Sequence, residues 1–451
     1  MGVVIQIGQL LLSLSILIIL HEMGHFLFAR LFGVRVEKFY LFFDPWFSLF
    51  KVKIGDTEYG IGWLPLGGYV KISGMIDESM DKEQMKQPPQ PWEFRSKPAG
   101  QRLLIMLGGV IVNLILGFVI YSAVLFTWGE KFLPNKNLTD GIWCVDSIAT
   151  DIGFRNGDRI ISINETEPQR FEDIYREIIF GGTVKVIRDN RVDSFLVPTD
   201  FIGNLVEERN VMLFYPRVPF IVREVPDSSV NRDSGLQPKD QVISINRVPV
   251  KYYDEYLDIV DTLAPGNIQV EVLRDGSSQL LSLTLTPAKK LEVLSFIPSF
   301  DELEKLGMYK LETRSFTFLS AIPAGFKLAG DRLSFYVKQF KLIFDFKTGA
   351  YKGLGGFGTI GGLFQKVWEW QSFWEITAFL SLILAFMNIL PIPALDGGHV
   401  MFLLYEIVTR RKPSEKFLEY SQIVGMVIIL GLLIFANTND IIRWVEGLIH
   451  K

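Results

Sequence analysis

Four stretches of the chain are apolar over roughly the 18 to 20 residues that a helix needs to cross a bilayer, and polar sequence separates them. They are Leu10 to Ala29, Leu103 to Trp128, Phe373 to about Leu390, and Phe417 to Ala436. The first, LLLSLSILIILHEMGHFLFA, holds His21, Glu22 and His25 in its interior. An ionisable group near the middle of such a helix costs about 2.5 to 3.5 kcal/mol, so three of them require compensation. The second run has no formal charge and carries Gly108, Gly109, Asn113 and Gly117. Small residues at that spacing favour close helix packing, and Asn113 is placed to bond across the contact. The third runs into Pro391 and Pro393, which break the helix. Broken backbone at membrane depth survives only when buried in protein or lining a watery cavity.

Between the first two runs, Arg30 to Arg102 mixes aromatic and basic residues in apolar stretches too short to span. Tyr59 to Leu64 and Tyr69 to Ile72 read as short strands around a turn at Pro65-Leu66-Gly67-Gly68. Aromatic-rich strands suit the bilayer interface, either resting there as a small amphipathic sheet or offering an edge to an extended substrate. Asp77 to Pro98 reads as a polar linker.

The sequence between the second and third runs repeats itself. GFRNGDRIISIN at 153–164 aligns with GLQPKDQVISIN at 235–246, 82 residues on, so a whole small domain is used twice. Each copy is followed by a further strand, at Gly182–Asn190 and Ile268–Gly276. Leu291 to Phe346 reads as largely helical and amphipathic, divided by Pro323, fit either for the membrane surface or for covering a core. The glycines from Gly353 to Gly362 permit unusual backbone or close approach to another segment.

Composition narrows the class. With 49% hydrophobic residues, 21% charged and a mean hydropathy of +0.25, the 451 residues must alternate membrane segments with soluble domains. A net charge of −4 gives no footprint for nucleic acid. The single cysteine, Cys144, excludes an internal disulfide and a cysteine-based zinc site. The N-terminus lacks a basic region and no small-residue cleavage site follows the first run, so Met1 to Ala29 is expected to stay as an anchor.

The chemistry follows from His21, Glu22 and His25. In a helix the histidines are i and i+4, on one face, where two imidazoles can grip one ion. H-E-x-x-H is the pattern in which the histidines bind Zn²⁺ and the glutamate is general base. Catalytic zinc takes three protein ligands and a water. Asp396 in NILPIPALDGGH at 388–399 is the first candidate for the third ligand, with helix capping as its other reading, and His399 is the alternative ligand. Asn388 could satisfy carbonyls freed by Pro391. For charge, Arg30, Arg35, Lys38, Arg95, Lys97 and Arg102 flank one loop and Arg410, Arg411, Lys412 and Lys416 another. The positive-inside rule makes that side cytoplasmic and puts both termini and the repeated region outside.

Taken together these segments resemble known families. The two repeats resemble PDZ domains, at 129–209 and 210–290, without a clear glycine-rich carboxylate loop; peptide capture and steric gating both remain open for them. The whole chain resembles the site-2 proteases, intramembrane zinc metalloproteases, in their bacterial sigma-E-regulating branch. The resemblance implies an α-helical polytopic membrane protein with four transmembrane helices, a membrane-associated β region and two PDZ-like α+β domains. The expected divisions are 1–128, 129–209, 210–290, a connector at 291–372, and 373–451. It implies Zn²⁺ on His21, His25 and Asp396, and Glu22 activating the water. It also implies substrate contacts at Asn388 and in the Pro65, Gly67, Gly68 stretch. Its substrates would be single-span membrane proteins shortened by a first protease, such as anti-sigma factors or signal-peptide remnants, and its location the bacterial inner membrane. Where relatives have G-P-[IV], this chain has Gly356-Phe357-Gly358. A membrane-anchored PDZ scaffold and a metal-dependent transporter are the rival readings.

Overall fold

The computed structural model describes residues 1–65, 67–75, 88–207 and 212–449. They form two compact units, one from Met1–Gly129, Ser315–Lys341 and Leu354–Lys451, the other from Glu130–Arg314 and Leu342–Gly353.

The helices of the first unit are α1 (Gly2–Leu31), α2 (Ala99–Trp128), α3 (Phe318–Ile343), α4 (Phe357–Gly362), α5 (Trp370–Ile389), α6 (Asp396–Thr409) and α7 (Glu415–Ile449). Among the described residues α1, α2, α5 and α7 are long and apolar enough to cross a membrane, which makes this a polytopic membrane protein. With no hydrophobic drive between helices in lipid, close approach and polar bonds must hold them together. The glycines supply the first: a side chain at Gly108 would lie 2.5 Å from the Gly24 carbonyl oxygen, so α1 and α2 meet backbone to backbone. Polar residues supply the second. Ser381 donates to the Asn113 carbonyl (2.7 Å), Thr377 to Ser13 (3.0 Å) and Gln9 to the Gln365 carbonyl (2.8 Å). At one end of α2, Arg102 is paired with Glu406 of α6 at 2.5 Å, both side chains nearly covered.

Two expectations fail in α3. The helix starts only at Phe318, and Pro323 does not divide it. Pro323 lies inside the helix and forfeits the bond to the Leu319 carbonyl, but the helix continues because the small stripe Ala321, Gly325, Ala329 on either side of it is buried, with Gly325 close against Ser122 of α2. The sequence from 291 to 314 instead holds two short strands and a six-residue helix and belongs to the second unit.

The β region is a sheet of β1 (Val36–Leu41), β2 (Phe43–Ile54), β3 (Thr57–Leu64) and β4 (Tyr69–Ile72) in the order β2-β3-β1-β4. The strands read at Tyr59 to Leu64 and Tyr69 to Ile72 are there, as Thr57–Leu64 and Tyr69–Ile72, but they are not paired with each other. β1 lies between its flanking strands, parallel to β3 and antiparallel to β4. The reason lies in the preceding sequence: β2, with exposed Trp46, Phe47, Leu49, Phe50 and Ile54, already pairs with β3 through a turn at Gly55-Asp56, leaving only the far edge for β4. Of the expected polar linker, 77–87 lies outside the described residues. The rest is anchored at Glu93 and Phe94, both buried, with Glu93 bonded to Arg95 (2.6 Å) and Trp92 exposed beside them.

In the second unit the repeat is reproduced bond for bond. Arg188 donates to both oxygens of the fully buried Asp158 (2.8 and 2.7 Å) and to the Gly153 carbonyl (2.8 Å). Arg274 does the same to Asp240 (2.7 and 2.6 Å) and the Gly235 carbonyl (2.8 Å). Each copy has its own apolar core, one around Phe154, Ile163, Ile174 and Val184, the other around Val242, Ile245, Val260 and Val270. The expected boundaries move, because each copy is completed by a strand beyond its repeat. Phe214–Pro216 pairs with Ile142–Cys144, and Leu294–Ser295 with Val222–Glu224. The expected junction at 209 and 210 lies outside the described residues. Burial, with the Asp158 charge next in weight, pushes the Cys144 thiol up to about 12, so it stays a protonated core residue.

Candidate active site

Asp396 opens α6 immediately after a tight reversal. Pro391 and Pro393 end the α5 helix at Ile389, Ala394 takes a left-handed φ of 77°, and Leu395 N–H closes on the Ile392 carbonyl (3.0 Å). Gly397 and Gly398 make the fold-back possible. A side chain at Gly398 would lie 2.6 Å from Pro393 Cα, and one at Gly397 would collide with the Leu390 carbonyl. On α7, Gly425 lies against the Pro393 carbonyl in the same way. Asp396 is the first helical residue after Leu395, and its side chain makes no cap bond.

The reversal aims Asp396 at α1. Its Oδ2 lies 3.2 Å from Nε2 of His21 and 3.2 Å from Nε2 of His25, and the two Nε2 atoms are 3.3 Å apart. His25 Nδ1–H donates to the Ile105 carbonyl of α2 (2.9 Å), which leaves its Nε2 with a lone pair. The Asn113 side-chain amide lies 3.2 Å from His21 Nδ1, and its Oδ1 is buried without a partner. A half-turn of that amide would let Oδ1 accept from Nδ1–H and free Nε2 in the second ring too.

Buried acceptors facing one another at this range are unfavourable unless a cation lies among them. Asp396 Oδ2 is in fact buried without a hydrogen-bond partner among the described residues. The spacing suits a particular ion: in a tetrahedral shell with bonds of about 2.0 Å, neighbouring donor atoms are about 3.3 Å apart. His21, His25 and Asp396 therefore fit a tetrahedral metal, offering three donor atoms to one ion. His399 does not belong to the converging set.

The other expected residues fall in different places. Glu22 lies within electrostatic range of both histidines and Asp396. Gly68 passes beside it: a side chain there would lie 3.4 Å from Glu22 Cγ and 2.6 Å from Ile18 Cγ2. Asn388 reaches the centre, its amide nitrogen 3.4 Å from His21 Nε2. Gly67 turns instead toward Phe43, with a φ of 149°. Pro65 follows the end of β3, half-buried. The sequence points to packing for Gly109 and to a bond across the helix contact for Asn113, but not to the imidazoles as what either one meets. A side chain at Gly109 would lie 2.5 Å from both His21 Cε1 and His25 Nε2, so glycine is what lets the imidazoles nest on α2. The signal was available, since a G-x-x-x-N spacing puts both residues on one helix face.

Comparison with known proteins now bears on this geometry. The family model described as Peptidase family M50 matches residues 9–432. The chain belongs to peptidase family M50. It is 26% identical to the regulator of sigma E protease of Haemophilus influenzae over 97% of this chain and 99% of that protein. It is 27% identical to a Campylobacter jejuni protein named as a zinc metalloprotease, covering 96% of this chain and 92% of that one. A Borreliella burgdorferi protein with the same designation is 26% identical over 94% and 95%. The chain is thus a membrane zinc metalloprotease, and zinc is its metal.

Proposed function

We propose that the enzyme hydrolyses peptide bonds within or beside the membrane-crossing segments of single-span proteins, with His21, His25 and Asp396 as zinc ligands and Glu22 as general base. The observation that carries this reading is the three-way convergence of donor atoms at 3.2 to 3.3 Å inside a helix bundle. A zinc ion held there supplies Lewis-acid polarisation of the scissile carbonyl and makes water acidic enough to attack at neutral pH. Glu22 takes the proton of the attacking water and passes it to the leaving amine. Ile105 and Asn113 hold the imidazoles so that their Nε2 atoms point inward. Asn388 presents its amide at the rim to a substrate backbone, and the Pro65 to Gly68 segment, with Gly67 and Gly68 free of side chains, lets substrate backbone approach Glu22. A helical substrate hides its carbonyls in intrahelical bonds, so it must open before attack; the free edge of β4 gives the opened stretch backbone partners. Four crossings, with the basic loops at Arg30–Arg102 and Arg410–Lys416 on the cytoplasmic side, put the PDZ-like pair and both termini outside a bacterial inner membrane. Substrates trimmed by a first protease, of the anti-sigma-factor or signal-peptide-remnant kind, suit that arrangement.

The test is cleavage of a purified single-span protein by the purified enzyme, with and without a zinc chelator. A cut within the span, lost on chelation and lost in Glu22→Gln while that variant keeps its zinc, is the expected result. Equal product from Glu22→Gln would remove Glu22 from its role.

A further inference from the structure

The two repeats differ along one edge, that of the short strand which completes each copy. In the first, Phe214 lies opposite Cys144, and Val145 N–H donates to the Leu213 carbonyl (2.9 Å). In an antiparallel pair this register turns the N–H and C=O of Phe214 outward, away from the partner strand. Both are taken. Phe214 N–H donates to Tyr175 Oη (2.8 Å), and Tyr175 Oη donates to the Phe214 carbonyl (2.7 Å). The next outward residue is Pro216, which has no N–H. From Phe214 to Pro216 the edge has no donor left for an incoming chain.

In the second repeat Val222 lies opposite Ser295, and Phe296 N–H donates to the Ile221 carbonyl (2.7 Å), so Ser295 faces outward. Its N–H and C=O meet no partner among the described residues. Ile297, next outward, keeps its N–H. The residue in the place of Tyr175 is Leu257. Each lies five residues after the N-cap of its helix, Arg170 for Phe171–Ile178 and Tyr252 for Tyr253–Thr262, and Leu257 is exposed and has no hydroxyl. The second helix carries Asp254, Glu255, Asp258 and Asp261 and no basic residue, with Asp258 and Asp261 exposed.

We infer that Tyr175 seals the first repeat against strand addition, and that the Ser295–Ile297 edge of the second takes an extended peptide carrying basic residues, with an apolar side chain over Leu257. This rests on the PDZ-like reading of the two repeats. Main-chain bonds to Ser295 and Ile297 supply the binding, and the acidic helix selects the charge.

The experiment uses the full-length protein in lipid nanodiscs and a fluorescein-labelled peptide of alternating valine and lysine. The wild type binds one probe per chain. Leu257→Tyr, which transplants the seal, weakens binding by about tenfold or more. Tyr175→Phe, which removes only the hydroxyl, admits a second probe, with thermal melting confirming that both variants are folded. Unchanged binding in Leu257→Tyr, or a single probe in Tyr175→Phe, overturns the inference while leaving peptide binding standing. A probe with glutamate in place of lysine that binds as tightly overturns the charge selection. Binding by no form sinks the PDZ-like reading itself.

Discussion

Replacing Gly109 with alanine should disable the metal centre while leaving the fold in place. The new Cβ would stand 2.5 Å from His21 Cε1 and 2.5 Å from His25 Nε2. Ordinary contact between such atoms is about 3.5 Å or more, so the imidazoles would have to retreat by about 1 Å. Metal–ligand distances tolerate only about ±0.2 Å, and the rings cannot retreat freely, because His25 is tied to Ile105 and His21 faces Asn113. Loss of an orienting group alone typically costs 10- to 100-fold in metal affinity. A displaced ring should exceed that, giving at least about a 100-fold loss, or roughly 2.7 kcal/mol. Helix propensity works in the opposite direction, since alanine is favoured over glycine by about 1 kcal/mol within a helix. The assay is zinc content by mass spectrometry of the purified protein, with a chelator titration for affinity. Gly100→Ala, on the same helix where nothing lies within 4 Å, is the control and should keep its zinc. Wild-type zinc content and affinity in Gly109→Ala would refute the nesting of the histidines on α2.

Gly68→Ala should lower cleavage without lowering zinc content, because the new Cβ would press on Ile18 Cγ2 (2.6 Å) and the Tyr40 carbonyl (2.8 Å) and come within 3.4 Å of Glu22 Cγ, none of them a donor atom; parallel loss of zinc would contradict this. Arg188→Ala and Arg274→Ala should each destabilise their own repeat by up to about 3 to 5 kcal/mol, since each leaves a fully buried aspartate with a backbone N–H, from Arg155 or Gln237, but no countercharge. Urea unfolding measures this, and a loss under about 1 kcal/mol would show that the buried charge is met some other way. Asp440→Ala should loosen the start of α4, where Asp440 accepts from Gly356 N–H (3.0 Å), Thr359 N–H (3.0 Å) and Thr359 Oγ1 (2.5 Å). The expected cost is about 1 to 2 kcal/mol, read as faster hydrogen exchange at 356–360. Unchanged exchange there would mean that the cap is not what orders the segment.

Much of the centre could be read directly, because its chemistry is local in sequence. His21, Glu22 and His25 share one helical turn, and Asp396 follows a proline break that cannot be mistaken for a continuous span. The repeat was equally legible, since its turn and strand residues recur in order. What escaped was non-local. Nothing in Tyr59 to Ile72 announces that β1 will slip between β3 and β4; that is decided by β2, whose apolar residues lack the alternation expected of a half-buried strand. The strands that complete each repeat, at 214–216 and 294–295, lie past the repeat's end and are too short to carry a pattern. Pro323 misled because one lost backbone bond does not end a helix whose small residues on both sides are packed. The glycines from Gly353 to Gly362 were visible as a cluster, but their partners, Asn437 and Asp440, lie about 80 residues away, and only folding pairs them.

At the glycine-on-glycine crossing of α1 and α2 backbone meets backbone, with only the Phe28 ring packed beside it to absorb movement among the groups nearest Gly108. The helix that bears both imidazoles and the helix that orients them therefore shift together or not at all. Opening the bundle to a substrate must then come from parts that carry none of the donor atoms, such as the four-stranded sheet. The catalytic centre can stay assembled while its surroundings part.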